Sequence, residues 1–158
     1  MIAQNLVSQF EFNQVTLRRL LEDVSQDDSL QAPKPDVNTI NWLLGHIIAT
    51  RNRLLDMVKV EGFWGDAEMA MYERGSKKFD PAKAKHLVAL RAALETSFEH
   101  IQRALPAKEA TFGDAATRRF IRDGETLGEQ VGYYVCHEDY HVGQIGLIRR
   151  LLGKPGLF

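Results

Sequence analysis

The sequence predicts an all-α protein, a four-helix bundle that forms a single domain over residues 1–158. Four segments repeat apolar residues at helical spacing, and no segment shows a convincing strand pattern. The chain has 158 residues, of which 44% are hydrophobic, so it is long and apolar enough to bury a core. Amphipathic helices bury their apolar faces against one another, and four of them make a bundle.

The first helix is predicted to begin at the N-terminus and to be ended by Pro33 and Pro35, which also separate it from the second helix. Its apolar positions follow the i, i+3, i+4, i+7 template of one helix face. They are Ile2, Leu6, Phe10, Leu17, Leu20, Leu21 and Val24.

The second helix is predicted to begin at Asn38 or Thr39, both of which are good N-caps, and to run to about Val60. The connection after it, residues 61–79, is glycine-punctuated and too long for a tight turn. It therefore predicts a long crossover between helices two and three. The apolar positions of the second helix are Ile40, Leu43, Leu44, Ile47, Leu54, Leu55 and Val58.

The third helix is predicted to start at Asp80-Pro81, an N-cap followed by a proline at the first helical position, and to stop at Pro106. After it, the turn signal Asp123-Gly124 follows residues 119–122, which could form one strand of a small hairpin. The apolar positions of the helix are Leu87, Leu90, Leu94, Phe98, Ile101 and Leu105.

The fourth helix is predicted from about Thr126 to Leu152, and Gly153 followed by Pro155 is a common helix stop. Its predicted core face contains two histidines one turn apart, so their imidazoles can converge on one point. The residues of that face are Leu127, Tyr134, His137, His141, Ile145, Ile148 and Leu152.

Residues 137–141 also spell H-E-x-x-H, the signature of a zinc protease. Such a protease takes its third metal ligand from downstream residues, but residues 142–158 contain no His, Asp, Glu or Cys. A third ligand must therefore lie upstream, and His46 on the second helix is the candidate. Gly45 beside it is a poor helix former and indicates close packing or ligand access.

His46, His137 and His141 together predict a site for one divalent metal ion. Three imidazoles with an open position are typical of a catalytic metal site. The alternative is a set of core histidines satisfied by hydrogen bonds. Glu138 could bond a ligand histidine or act as a base, and a solvated or salt-bridged glutamate is an equal alternative.

Three other residues are expected to stay outside the site. His86 and His100 lie off the apolar face of the third helix and are predicted to be solvated surface histidines. Cys136 adjoins His137, but adjacent helical side chains point about 100° apart, so a Cys/His catalytic pair is not expected.

Small residues form a second stripe on the fourth helix, roughly opposite the histidines. Small side chains let another backbone approach closely, so the stripe suggests a helix buried on two sides, the second against a partner in a homodimer. Ordinary packing within the chain is the alternative. The stripe consists of Gly128, Gly132, Cys136, Gly143 and Gly146.

Composition excludes several partners and locations. Twenty basic and 21 acidic side chains give a net charge of -1, so no nucleic-acid partner is expected. Neither a signal peptide nor an apolar stretch long enough to cross a membrane is apparent. A single cysteine fits a reducing compartment, so we expect a cytoplasmic protein without a membrane partner.

The motifs W-L-L-G-H at residues 42–46 and H-x-x-x-H-x-G-Q-I at residues 137–145 resemble those of the DinB-like proteins. These proteins belong to a larger group that includes bacillithiol- and mycothiol-dependent transferases, and the family name refers to damage-inducible expression. The resemblance implies a four-helix bundle, often dimeric, in which three histidines hold a divalent metal. By motif position these ligands would be His46, His137 and His141.

Two classes of function follow. As an enzyme, the protein would use the metal to activate a thiol or water against a small-molecule substrate, like a thiol transferase or a hydrolase, with Trp42 and Tyr134 shaping the pocket. Zinc or nickel is favoured, and iron or manganese also fits three imidazoles. In the alternative the protein is not an enzyme, and the metal staples the bundle or the domain is a binding or stress-response module.

Overall fold

The computed structural model describes residues 2–74 and 79–157, and within them the fold is all-α, as predicted. No strand occurs in these residues apart from an isolated bridge between Ala115 and Thr126. No helix of the described chain is long and apolar enough to cross a membrane. Two short 3₁₀ turns cover Pro81–Lys83 and Glu109–Thr111. The α-helices are α1 Ile2–Leu21, α2 Gln26–Leu30, α3 Ile40–Met57, α4 Asp66–Tyr72, α5 Leu87–Lys108 and α6 Leu127–Leu151.

The four long helices α1, α3, α5 and α6 form the predicted bundle. Both α1 and α3 pack against α5 and α6, so α1 and α3 occupy opposite corners of the bundle. The chain therefore crosses the bundle between α1 and α3, and again between α5 and α6. The short helices α2 and α4 both pack on α3, and α4 lies within the long connection that precedes α5.

The first helix is shorter than predicted, because α1 ends at Leu21 rather than at the prolines. A capping box then begins α2: the Ser25 hydroxyl accepts from the backbone of Asp28, whose carboxylate accepts from the backbone of Ser25. Between the helices, Arg91 of α5 donates to the carbonyl oxygens of Leu21 and Val24. The arginine thus binds the last carbonyl oxygen of α1 and one in the connection that follows.

The predicted bounds of the third long helix were wrong at both ends. Asp80-Pro81 starts only a 3₁₀ turn, and α5 begins at Leu87 with the His86 side chain as its N-cap. The chain stays extended just before α5 because the Lys85 backbone donates to the Tyr72 hydroxyl, 2.9 Å away, and accepts from the Asn41 amide, also 2.9 Å away. At the other end, Pro106 lies inside the last turn, where a missing N–H removes only one of the final bonds.

The predicted strand at residues 119–122 was wrong. The backbone N–H groups of Phe120, Ile121 and Arg122 donate to the Glu125 carboxylate at 2.9, 2.6 and 2.8 Å instead of pairing with another strand. The Gln130 amide, followed by these backbone donors, lowers the pKa of Glu125 to about 2. An ionised carboxylate therefore organises the loop that leads into α6.

A buried polar layer divides the core into two apolar clusters. It takes one residue from each long helix: Gln14, Arg51, Ser97 and Glu138. The Arg51 guanidinium donates to both Glu138 oxygens, at 2.8 and 2.7 Å, and to the side chains of Gln14 and Ser97, at 2.8 and 2.9 Å. Glu138 is thus a buried ion-pair partner, so of the alternatives for this residue the salt bridge is correct and the solvated carboxylate is wrong.

Close packing explains Gly45. A Cβ atom at this position would overlap the ring of Tyr72, which is fully buried. The ring cannot retreat easily, because its hydroxyl donates to Asn41, 3.1 Å away, and accepts from the Lys85 backbone. The expectation of close packing at Gly45 is therefore confirmed.

Gly45→Ala is expected to destabilise the protein by about 1–3 kcal/mol, because overpacking outweighs the gain in helix propensity. Urea unfolding would measure the change. Gly132→Ala on α6 is the matched control, since nothing in the described chain lies within 4 Å of a Cβ there. It is expected to stabilise the protein by up to ~1 kcal/mol. Equal effects of the two substitutions would contradict the prediction.

Candidate metal centre

The structure brings the three predicted histidines together. His46 comes from α3, and His137 and His141 come from α6. One ring nitrogen from each lies within 4.8 Å of those of the other two. His46 and His141 are buried and His137 is half-buried, so the group lies just inside the bundle.

Hydrogen bonds to the outer ring nitrogens fix two of the tautomers. His46 Nδ1 lies 2.7 Å from the Tyr72 carbonyl oxygen, and His141 Nδ1 lies 2.8 Å from the Gln144 side-chain oxygen. Both oxygens only accept hydrogen bonds, so both Nδ1 atoms carry the proton and both Nε2 atoms keep a lone pair. Outer partners of this kind orient the histidine ligands of metal sites. The Trp42 ring also stacks on His46, with centroids 4.8 Å apart.

The third imidazole is incompletely satisfied by the protein. His137 Nε2 lies 3.2 Å from His141 Nε2, and His137 Nδ1 is buried without a hydrogen-bond partner among the described residues. Two ring nitrogens this close, with one of His46 within 4.8 Å, form a convergent set of nitrogen donors of the kind that holds a cation. The residues present therefore fit a divalent cation.

Electrostatics keep the cluster neutral. Burial lowers the pKa of all three histidines, and for His137 burial with repulsion from His141 and His46 lowers it to about 4. Each imidazole is thus in its neutral form, with one ring proton, near neutral pH. Only the neutral form binds a metal ion, so the site is prepared for one without a proton having to leave first.

The metal-free protein is expected to lose stability in acid. His137 has a pKa near 6.5 in the unfolded chain and about 4 in the folded chain. Its contribution to the free energy of unfolding is therefore fully present above pH 6.5 and is lost as the pH falls towards 4. Urea unfolding at pH 7.5 and 4.5 would measure the loss, which should be about 2 kcal/mol smaller in His137→Asn than in the unsubstituted protein. Equal losses in both proteins would contradict the assignment.

A cavity of about 280 Å³ opens beside His46 and His137. Tyr134 lines it, as expected, whereas Trp42 contacts His46 from outside the lining. The other charged and aromatic residues of its lining were not predicted from the sequence. They are Arg53, Glu73, Arg74, Phe120 and Tyr133.

Part of that lining carries a signal in the sequence. Arg53 lies seven residues after His46, and Tyr133 and Tyr134 lie four and three residues before His137, so helical spacing puts each on the same face as a histidine. Arg53 pairs with Glu73, which follows α4. Spacing alone could have found the helical residues, but not Glu73, Arg74 or Phe120, which come from connections.

The remaining sequence predictions have mixed outcomes. His86 is exposed, as predicted, and caps α5. His100 is half-buried against Phe63, with ring centroids 5.5 Å apart, so the prediction of a solvated side chain was wrong. Cys136 is a free, exposed cysteine.

The small-residue stripe of α6 splits into two parts. A Cβ at Gly128 would lie only 3.0 Å from Phe112 of the same chain, so this glycine serves close packing within the chain. Gly143 and Gly146 instead line a groove of about 830 Å³ between α1 and α6. Exposed Phe12 and Leu147 lie along the same groove.

Comparisons with known proteins agree with this architecture. The family model of the DinB superfamily matches residues 9–145. A conserved protein from Enterococcus faecalis has the same fold, with a TM-score of 0.75 and 16% identity over 96% of this chain and 97% of its own. YfiT from Bacillus subtilis, described as "a probable metal-dependent hydrolase with an unusual four-helix bundle topology", gives a TM-score of 0.65 and 16% identity over 97% of this chain and 89% of its own. No curated protein matches the chain in sequence.

Proposed function

The chain belongs to the DinB superfamily, and on this premise we propose that it is a metal-dependent enzyme that activates a water or a thiol. His46, His137 and His141 hold one divalent ion in this proposal. The observation that carries it is the convergence of three neutral imidazoles beside an open cavity. A purely structural ion needs no such cavity and usually has four protein ligands.

The donor set favours zinc or nickel, and iron or manganese remain compatible with three imidazoles. A bound ion supplies a Lewis acid that makes a water or thiol more acidic. The protein supplies orientation: the Tyr72 carbonyl and the Gln144 amide hold His46 and His141 with their Nε2 lone pairs directed inwards.

Two cavity residues can handle protons. Glu73 is the only carboxylate of the cavity lining within the described residues and is paired with Arg53, and in this proposal it accepts the proton of the nucleophile. Burial raises the pKa of Tyr134, so its hydroxyl stays protonated and can donate to a substrate oxygen. Glu73 is thus the proposed base, and Tyr134 is the proposed hydrogen-bond donor.

The nucleophile is either water or a thiol. Hydrolysis is supported by the printed description of YfiT, whose fold is similar. Thiol transfer is supported by the resemblance of the histidine motifs to those of the bacillithiol- and mycothiol-dependent transferases. Both reactions would use the same metal site and cavity.

The test is to assay metal-loaded protein against ester and amide substrates, and against electrophiles in the presence of low-molecular-weight thiols. Turnover should require the metal and fall at least ~100-fold in His141→Ala, because that substitution removes a ligand of the activating ion. His86→Ala, an exposed histidine outside the site, is the control and should keep full activity. Absence of turnover throughout, together with a sharp fall in Tm on metal removal, would favour a structural ion.

We also propose that the protein forms a homodimer through the groove between α1 and α6. Gly143 and Gly146 leave room there for a second backbone, and Phe12 and Leu147 are 66% and 59% exposed beside it. Light scattering at micromolar concentration should give twice the chain mass, and Leu147→Glu should halve it. Val88→Glu, at a similarly exposed position on α5, is the matched control. A monomer mass for the unsubstituted protein would refute the dimer.

A further inference from the structure

The charge of the cavity beside the histidines is not balanced by its own lining. Arg53 is neutralised by Glu73, but Arg74 has no ion-pair partner within the described residues. Its guanidinium is near enough to His137 to contribute to the lowered pKa of that histidine. Arg74 is therefore a cationic group at the cavity wall with its charge available to a ligand.

A second hollow of about 240 Å³ extends the positive region. It shares Arg53, Phe120 and Tyr134 with the first cavity and adds Arg118 and Asp56. Across the two linings three arginines face two carboxylates, although the whole chain has a net charge of -1. Positive charge in a cleft raises the local concentration of anions.

The walls of the cavity are aromatic. The Phe120 ring lies 5.1 Å from that of Tyr133 and 5.6 Å from that of Tyr134, between centroids. Phe120 is held there by the loop that Glu125 organises. Aromatic faces of this kind favour a planar apolar body. A volume of about 280 Å³ suits a small molecule rather than a polymer.

We infer that this cavity selects a small anionic substrate, with Arg74 binding its negative group and Phe120 and Tyr133 contacting a planar apolar body. The inference rests on the proposed function, because it assigns a substrate class to the same site. Arginine suits this role, since its guanidinium stays charged and binds a carboxylate or phosphate through two parallel hydrogen bonds. Arg74 is thus a specificity-determining residue rather than a catalytic one.

The test uses benzoate and benzamide, which share shape and ring but differ in charge. Titration calorimetry on the metal-free protein separates the contribution of Arg74 from any direct bond to an ion. Benzoate should bind about fivefold more tightly than benzamide, because Arg74 is exposed and an ion pair screened by solvent contributes up to ~1 kcal/mol. Arg74→Gln should remove this preference.

Arg103→Gln is the matched control. It makes the same change of charge at an exposed arginine of α5 that lines neither cavity, and it should keep the benzoate preference. Equal binding of the two probes, no binding of either at millimolar concentration, or a preference that survives Arg74→Gln would each overturn the inference. Because no metal is present, these outcomes do not depend on whether the turnover assay succeeds.

Discussion

Replacing Glu138 with alanine is expected to destabilise the protein by about 3–5 kcal/mol, the usual cost of breaking a buried ion pair. The side chains of Arg51 and Glu138 are only 1% and 3% exposed, so the remaining guanidinium would be left in the core without its counter-charge. Gln14 and Ser97 would still accept from Arg51, but both are neutral. Urea unfolding of the metal-free protein would measure the loss.

An exposed pair provides the control for this prediction. Arg18 and Glu95 join α1 to α5 with side chains that are 53% and 42% exposed. Solvent screens such pairs, so Glu95→Ala should cost at most ~1 kcal/mol. A loss in Glu138→Ala no greater than this would show that the buried pair does not dominate the polar layer.

The paired substitution separates charge from packing. In Arg51→Met with Glu138→Leu, both charges leave and apolar side chains fill similar volumes. Much of the loss of Glu138→Ala should be recovered, because replacing a whole buried pair removes its desolvation cost as well. If the double variant were less stable than Glu138→Ala, the pair itself would be a net source of stability.

The sequence already contained the signal for this layer. Gln14 lies between Phe10 and Leu17, and Arg51 between Ile47 and Leu54, each at the i+4 position of a regular apolar face. A polar residue at such a position on two different helices indicates a buried partner. The apolar faces predicted the helices and the bundle, but they did not show which helices would supply the complementary groups.

The convergence of the three histidines was predictable because helical spacing determines geometry. His137 and His141 lie one turn apart on any α-helix, and the absence of a downstream ligand pointed to His46. No comparable spacing rule predicts where residues of the connections between helices will lie. Phe120 lies on a loop that the Glu125 carboxylate organises, and Arg74 follows α4 in a connection, so no helical spacing places either residue at the cavity.

Tyr72 shows the same limit. The ring of Tyr72 packs against Gly45, and its hydroxyl donates to Asn41 and accepts from the Lys85 backbone. The backbone carbonyl oxygen of the same residue accepts from His46. Tyr72 lies at the end of the short helix α4, in the glycine-punctuated connection that the sequence left unassigned. The support of one predicted ligand therefore comes from a segment whose structure could not be predicted.

Purified protein is expected to contain about one divalent ion per chain, and His137→Asn is expected to contain almost none. The substitution removes the half-buried imidazole, whose loss leaves two ligands, too few for a stable three-imidazole site. Elemental analysis of untagged protein prepared without added metal would measure the content. Metal should also stabilise the parent protein by about 2.7 kcal/mol at a free concentration one hundred times the Kd, and should not stabilise the variant.

Two further variants grade the effect. Gln144→Leu removes the acceptor of His141 Nδ1 but leaves all three ligands, so it should retain the ion with an affinity about 10–100-fold weaker. His86→Ala removes a histidine that only caps α5, so its metal content should not change. A full complement of metal in His137→Asn would place the ion elsewhere. If Gln144→Leu bound the metal as tightly as the parent protein, the hydrogen bond from His141 Nδ1 to Gln144 would not contribute to metal affinity.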